Sequence, residues 1–179
     1  MKKYLLVFAV LLGSISGVSA QRFAYVNTDY ILANIPAFDE AQQKIDKMSE
    51  TWGAEIAKKQ KEIEDLYRKF QNEQYLLTEE VKKQRIQEIE SKERGLKDYQ
   101  KEKFGYEGEL FQQRQELIKP IQDDVFAAIE RLAKERGYDF IFDKSNSTTV
   151  LFADPKNDRS DDILRMLGIT PGQSTGTSN

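Results

Sequence analysis

Between Ala37 and Tyr75 the chain holds no proline and a single glycine, Gly53, while apolar residues recur at helical spacing: Ile45, Met48, Trp52, Ile56, Ile63, Leu66 and Phe70. Ile56, Ile63, Phe70 and Leu77 keep a seven-residue step, Ile45 and Trp52 keep another, and a stutter separates the two registers between Trp52 and Ile56. A helix this charged cannot bury itself in an ordinary core, and its narrow apolar stripe calls for a second helix beside it. The sequence supplies one. Leu77-Thr78-Glu79-Glu80 reads as a tip followed by a helix start, with Thr78 as N-cap and two acids against the positive end of the helix dipole. From there to Arg136, just before Gly137 at a C′ position, Phe104, Phe111, Ile118, Val125 and Leu132 repeat at seven beside Ile89, Leu96, Leu110 and Leu117.

Two helices joined at a tip near 76–78 form an antiparallel hairpin, and facing residues then have position numbers summing to about 155, given equal rise in both arms. On that rule Leu66 faces Ile89, Phe70 faces Ile86, Ile56 faces Tyr99, Trp52 faces Phe104, and Ile45 faces Leu110. Lys59 falls opposite Leu96, so the seam is imperfect. Gly95, Gly105 and Gly108 interrupt the second helix, each at a cost of about 1 kcal/mol relative to alanine. Pro36 and Pro120 come opposite one another, and an interior Pro120 would remove the bond to the Glu116 carbonyl. This proline pair is expected to mark the base of the arm. For Tyr67, Tyr75, Tyr99 and Tyr106 two readings stand: packing along the seam, or amphipathic contact points for a partner.

The two ends of the chain read as a small body. Arg22–Asn27 alternates as a strand, with Phe23 and Tyr25 on one face and Ala24 and Val26 on the other; Tyr138–Asp143 and Thr149–Ala153 follow as further strands, joined by a turn at Lys144–Ser147. Asp158–Leu167 reads as a short helix capped by Ser160 and stopped by Gly168, and Pro171–Asn179 as a flexible tail. The fold class is α+β: a long coiled-coil-like helical hairpin over 37–120, projecting from a small β-containing body built from 21–36 and 121–170. Three short strands and two short helices make a meagre core, so the body is expected to be completed by self-association. Phe23, Tyr25, Val26, Tyr138, Phe140, Phe142, Val150 and Phe152 are the expected assembly residues, with Phe140 placed in the apolar core.

Compartment and chemistry follow from the remaining signals. Lys2 and Lys3 precede the apolar run Tyr4–Leu12, and Val18-Ser19-Ala20 offers a cleavage site after Ala20, so residues 1–20 read as a secretory signal peptide. The 27 Lys and Arg against 30 Asp and Glu give a formal charge of −3, and loss of Lys2 and Lys3 with the leader leaves −5. A nucleic-acid binder would be expected to carry a basic footprint instead. The chain has no Cys and no His, which removes thiol nucleophiles, the usual zinc sites and the Ser-His-Asp triad. Asp123-Asp124 and Asp161-Asp162 are paired carboxylates, but adjacent acids near a helix start serve its dipole. No catalytic, metal or cofactor site is expected.

The stretches FAYVNTDYILANIPAF, LLTEEV at the tip, and IKPIQDDVFAAIERLAKERGYDFIFDKS, in that order behind a signal peptide, resemble the OmpH/Skp family of periplasmic chaperones. The resemblance implies a homotrimer whose end segments form a β-containing body, with three helical arms around a cavity. It implies an ATP-independent holdase in the periplasm that keeps unfolded outer-membrane proteins from aggregating. The acidic charge departs from the family's basic members, and basic runs such as Lys58-Lys59-Gln60-Lys61 and Lys82-Lys83-Gln84-Arg85 stand beside acids, which leaves contact with membrane or lipopolysaccharide open. A structural coiled-coil spacer of the cell envelope is the alternative, and it would want a continuous apolar seam and an attachment module.

Overall fold

The computed structural model describes residues 21–145 and 150–172; the expected leader, part of the 144–147 turn and most of the tail lie outside the described residues. In chain order the elements are β1 (Phe23–Val26), α1 (Thr28–Ala33), α2 (Pro36–Glu73), a 3-10 turn (Gln74–Leu76), α3 (Glu79–Phe104), α4 (Glu109–Leu117), α5 (Lys119–Arg136), β2 (Phe140–Asp143), a second 3-10 turn (Pro155–Asn157) and α6 (Ser160–Met166). Helix α2 starts on a proline, whose fixed φ suits the first turn and whose missing N–H leaves nothing unsatisfied there. It runs 38 residues without a break. Thr78 caps α3, its hydroxyl accepting from the Val81 amide, with Glu79 and Glu80 in the first turn.

The hairpin obeys the facing rule. The Tyr99 hydroxyl meets Glu55, Lys92 pairs with Glu62 at 3.7 Å, and Trp52 meets Phe104 edge-on at 6.0 Å, pairs whose position numbers total 154, 154 and 156. Its upper seam is thin: Ile63, Ile89 and Leu96 are buried, with Ile56, Leu66 and Phe70 packed against them. The ammonium of Lys59 lies 5.3 Å over the Tyr99 ring, where the aromatic face accepts a cation.

The returning arm is three helices rather than one. Helix α3 runs through Gly95 unbroken but stops at Gly105, and α4 starts after Gly108. Gly105 is extended and Glu107 has φ of 60°, so the helical path is lost for one turn. The second junction, at Ile118, corrects the expectation of an interior proline kink. Pro120 lies in the first turn of α5, where its missing N–H displaces no helical bond. Gly137 closes α5 in the left-handed conformation at φ 63°, as a C-terminal glycine can without a Cβ penalty.

At the arm's base one core joins both ends of the chain. Val26, Ile31 and Ile35 meet Val125, Ala128 and Leu132 of α5 and Ile163 and Leu164 of α6. Strands β1 and β2 pair in parallel, Phe23 opposite Phe140 and Tyr25 opposite Phe142. The pleat sends Ala24, Val26 and Ile141 toward the helices and the aromatic residues outward. Phe140 is therefore no core residue of the single chain: it is 51% exposed. The expected third strand is also absent, since Val150–Ala153 is irregular. One edge of β1 is taken by β2, and the other meets Asp158 and the Arg159 amide, which donates to the Tyr25 carbonyl at 2.9 Å. Residues 150–153 pair with neither strand and line the cleft beside Phe23 and Phe142 instead. Ser160 does not cap α6; its hydroxyl accepts from the Asn27 amide and donates to Asp158, fastening α6 to the end of β1.

Candidate functional site

Two surfaces carry the candidate residues. The first is the outer face of the sheet, where Phe23 stacks on Phe140 at 5.7 Å and on Phe142 at 6.2 Å, and Phe140 lies 6.3 Å from Phe142. Three near-parallel rings, all about half exposed, form one continuous apolar patch. Beside it opens a cleft of about 680 Å³, lined by Phe23, Tyr25, Phe142, Val150, Leu151 and Phe152. Tyr25 forms its buried floor, with the Lys144 ammonium 5.3 Å over the ring. Burial raises the Tyr25 hydroxyl's pKa, with Asp158 adding to the effect. Leu151 and Phe152 project from the cleft's far lip almost wholly into solvent.

Two of the expected assembly residues lie elsewhere. Val26 belongs to the helix-facing core. Tyr138 sits between the guanidinium groups of Arg22 and Arg159, 5.3 and 5.8 Å from its ring, and its hydroxyl accepts from Arg159 Nε at 2.7 Å. These contacts tie the α5–β2 corner to the approach of α6.

The second surface is the arm. Tyr67 and Tyr99 bridge the two rails: the Tyr67 hydroxyl donates to Glu93 at 3.1 Å, and Tyr99 bonds Glu55. Hydrogen bonding to those carboxylates raises the pKa of both phenols. Tyr75 at the tip and Tyr106 at the helix break are 76% and 95% exposed. So the four tyrosines divide by role, two as rungs and two as projections. Ile86, expected on the seam opposite Phe70, is exposed on the upper arm, and sequence reasoning missed Leu76 and Phe126, exposed on the tip and on α5. Leu76 was legible, since Tyr75-Leu76-Leu77 stacks three apolar residues at the turn, where only one can face the seam. Phe111 keeps the seven-residue step on paper, yet in the short helix that follows the break at 105–108 it is exposed and stacks on Tyr106 at 6.4 Å, while Val125 and Leu132 on the same step are buried.

The chain is 28% identical over 161 residues to an uncharacterised protein of Aquifex aeolicus, covering 89% of this chain and 94% of the other. It is 25% identical over 152 residues to the chaperone protein Skp of Vibrio cholerae, covering 83% and 85%. The crystal structure of an OmpH-like chain from Caulobacter crescentus superposes with a TM-score of 0.63 at 10% identity, over 84% of this chain and 86% of that one, which is a likeness of fold. The model of the OmpH-like outer membrane protein family matches residues 22–167, from the first strand through the closing helix. That span takes in both ends of the body and the entire hairpin between them, and the chain belongs to the OmpH-like family.

Proposed function

We propose that this protein is an exported, ATP-independent holdase that binds unfolded outer-membrane proteins in the periplasm, between the arms of a homotrimer, and prevents their aggregation. The observation that carries the reading is the arm's surface: large apolar side chains, Tyr75, Leu76, Ile86, Tyr106 and Phe111, stand exposed one by one along a charged hairpin. Scattered contacts of this kind hold an unfolded chain by many weak interactions that are released by mass action, with no nucleotide, metal or catalytic group required. The name of the Vibrio cholerae relative agrees with this reading. The stacked Phe23, Phe140 and Phe142 face, with the outer edge of β2, unpaired among the described residues, supplies the surface through which subunits would join. The spacer reading has less support, because the seam is thin and the returning helix breaks in mid-arm.

The test dilutes a urea-unfolded outer-membrane β-barrel into buffer and follows turbidity. Near-stoichiometric protein is expected to keep the solution clear. A variant in which 46–109 are replaced by a short glycine-containing turn is expected to keep its oligomeric mass by light scattering and lose protection. Full protection by that truncated chain would refute the assignment of binding to the arm.

A further inference from the structure

Three separate irregularities fall within about three helical turns of one another on the arm. On the returning rail the helix is interrupted from Gly105 to Gly108, with Glu107 in the left-handed region. The glycines are sterically required there: a Cβ on Gly105 would collide with the Lys101 carbonyl, and one on Gly108 would lie 2.8 Å from the Glu102 carbonyl oxygen. On the opposite rail sits Gly53, the one glycine in the 38 residues of α2, which the facing rule sets against Glu102, about one turn to the tip side of the break. A Cβ at Gly53 would meet nothing within 4 Å, so packing does not demand glycine there. Its effect is on the backbone, since glycine weakens a helix interior. The heptad stutter between Trp52 and Ile56 lies at the same level, where the seam changes register.

One side chain spans the joint. Lys103, on the last turn of α3, pairs with Glu109, the first residue of α4, and with Glu102 at 3.0 Å. Its ammonium also lies 5.3 Å over the Trp52 ring of α2 and 5.5 Å over Tyr99. Its side chain is only 15% exposed. Hydrogen bonds it donates to the Glu109 and Glu102 carboxylates raise its pKa, so it is charged at any physiological pH. It is the tie between the two halves of the broken rail and the unbroken rail behind them.

We propose that Gly53 and the Gly105–Gly108 break form a hinge across both rails of the arm, and that the Lys103–Glu109 ion pair is the latch holding it straight. With the latch closed, α4 continues the line of α3 along α2. With it open, the distal arm swings about a level where neither rail has full helical stiffness. The device concerns the arm alone and stands whether or not the arm binds unfolded proteins.

The chain has no cysteine, so spin labels can be placed at Gln84→Cys and Gln115→Cys, on exposed helix positions on either side of the break and about 45 Å apart along the returning rail. The labelled chain is mixed with excess unlabelled chain, and the intrachain distance distribution is read by double electron–electron resonance. Lys103→Gln and Glu109→Gln are each expected to raise the short-distance population about threefold, the change expected for losing a partly screened ion pair. High salt should do the same to the parent and little to Lys103→Gln. Adding Gly53→Ala to Lys103→Gln should reduce that population again by stiffening α2. Distributions unchanged from the parent in both latch variants would overturn the latch, and a population unmoved by Gly53→Ala would overturn the two-rail hinge.

Discussion

Replacing Ile89 by alanine is expected to open the upper arm and leave the body intact. Ile89 is 3% exposed and belongs to a cluster that has just two other buried members, Ile63 and Leu96. The body's core is a separate cluster of eight buried residues that shares none of them. Trimming isoleucine to alanine removes three carbons, about 2.4 kcal/mol at about 0.8 kcal/mol per buried methylene. The cavity term that deep cores add is small here, because two thin helices can settle onto each other. Between the clusters lie Trp52, Phe104 and the helix break, which give local opening a place to stop. Amide hydrogen exchange resolved by peptide is the assay. Backbone amides over 56–98 should exchange about 50-fold faster, at tenfold per 1.4 kcal/mol, while those of β1, α5 and α6 keep their parent rates. Equal acceleration in arm and body would refute the reasoning by making the molecule one cooperative unit. No acceleration anywhere would show that Ile89 does not carry the seam.

Phe140→Asp is expected to abolish self-association while leaving the subunit fold intact, because the ring is half exposed and faces away from the helix-covered side of the sheet. Light scattering should give the single-chain mass with an unchanged far-ultraviolet circular dichroism spectrum; an unaltered mass would remove the aromatic face from the interface. Asp143 is expected to titrate below the ordinary carboxylate range by NMR. Burial pushes its carboxyl up, but the Ser145 amide, the Thr28 hydroxyl, the Ser145 hydroxyl and the Thr28 amide together hold it down. A depressed folded-state pKa contributes stability above the unfolded value and loses it as pH falls through the folded value, so this clasp at the end of β2 weakens only in strong acid. Thr28→Val should raise the Asp143 midpoint, and a midpoint that stays put would show that the Thr28 hydroxyl contributes little.

The hairpin was legible because its signal is long: a seven-residue step and a tip fix the register over both rails, and Trp52 finding Phe104 needs nothing else. The errors lie where a local pattern has more than one tertiary solution. Pro120 reads from the sequence as an interior proline because the apolar step runs on through it, yet α4 ends at Leu117 and α5 starts anew at Lys119, which puts it in a first turn. Val150–Ala153 has strand composition, yet strand composition is only a weak guide to pairing, and the segment runs irregularly along the cleft beside Phe23 and Phe142. The alternation of β1 and β2 was readable, but not which face the helices cover; the side with Ala24 and Val26 accepts them, and the larger rings are left outside. The tyrosines divide by what lies across the rail, since Tyr67 and Tyr99 have Glu93 and Glu55 within reach. Spacing along one helix cannot say that.

The sheet joins two parts of the chain that lie far apart in sequence. The Arg22 amide bonds the Asp139 carboxylate 117 positions along, beside the ladder of β1 and β2. Closing a flexible loop of that length costs about 4 kcal/mol in chain entropy, a large sum against a four-residue parallel pair. The arm removes most of that cost. Every helical contact along it joins residues nearer in sequence than the strands, and once the rails zip from the tip downward, α2 and α5 emerge side by side with β1 and β2 already within reach. The lever thus doubles as the device that brings the chain's ends together, and its lower seam governs body stability without supplying most of the body's contacts.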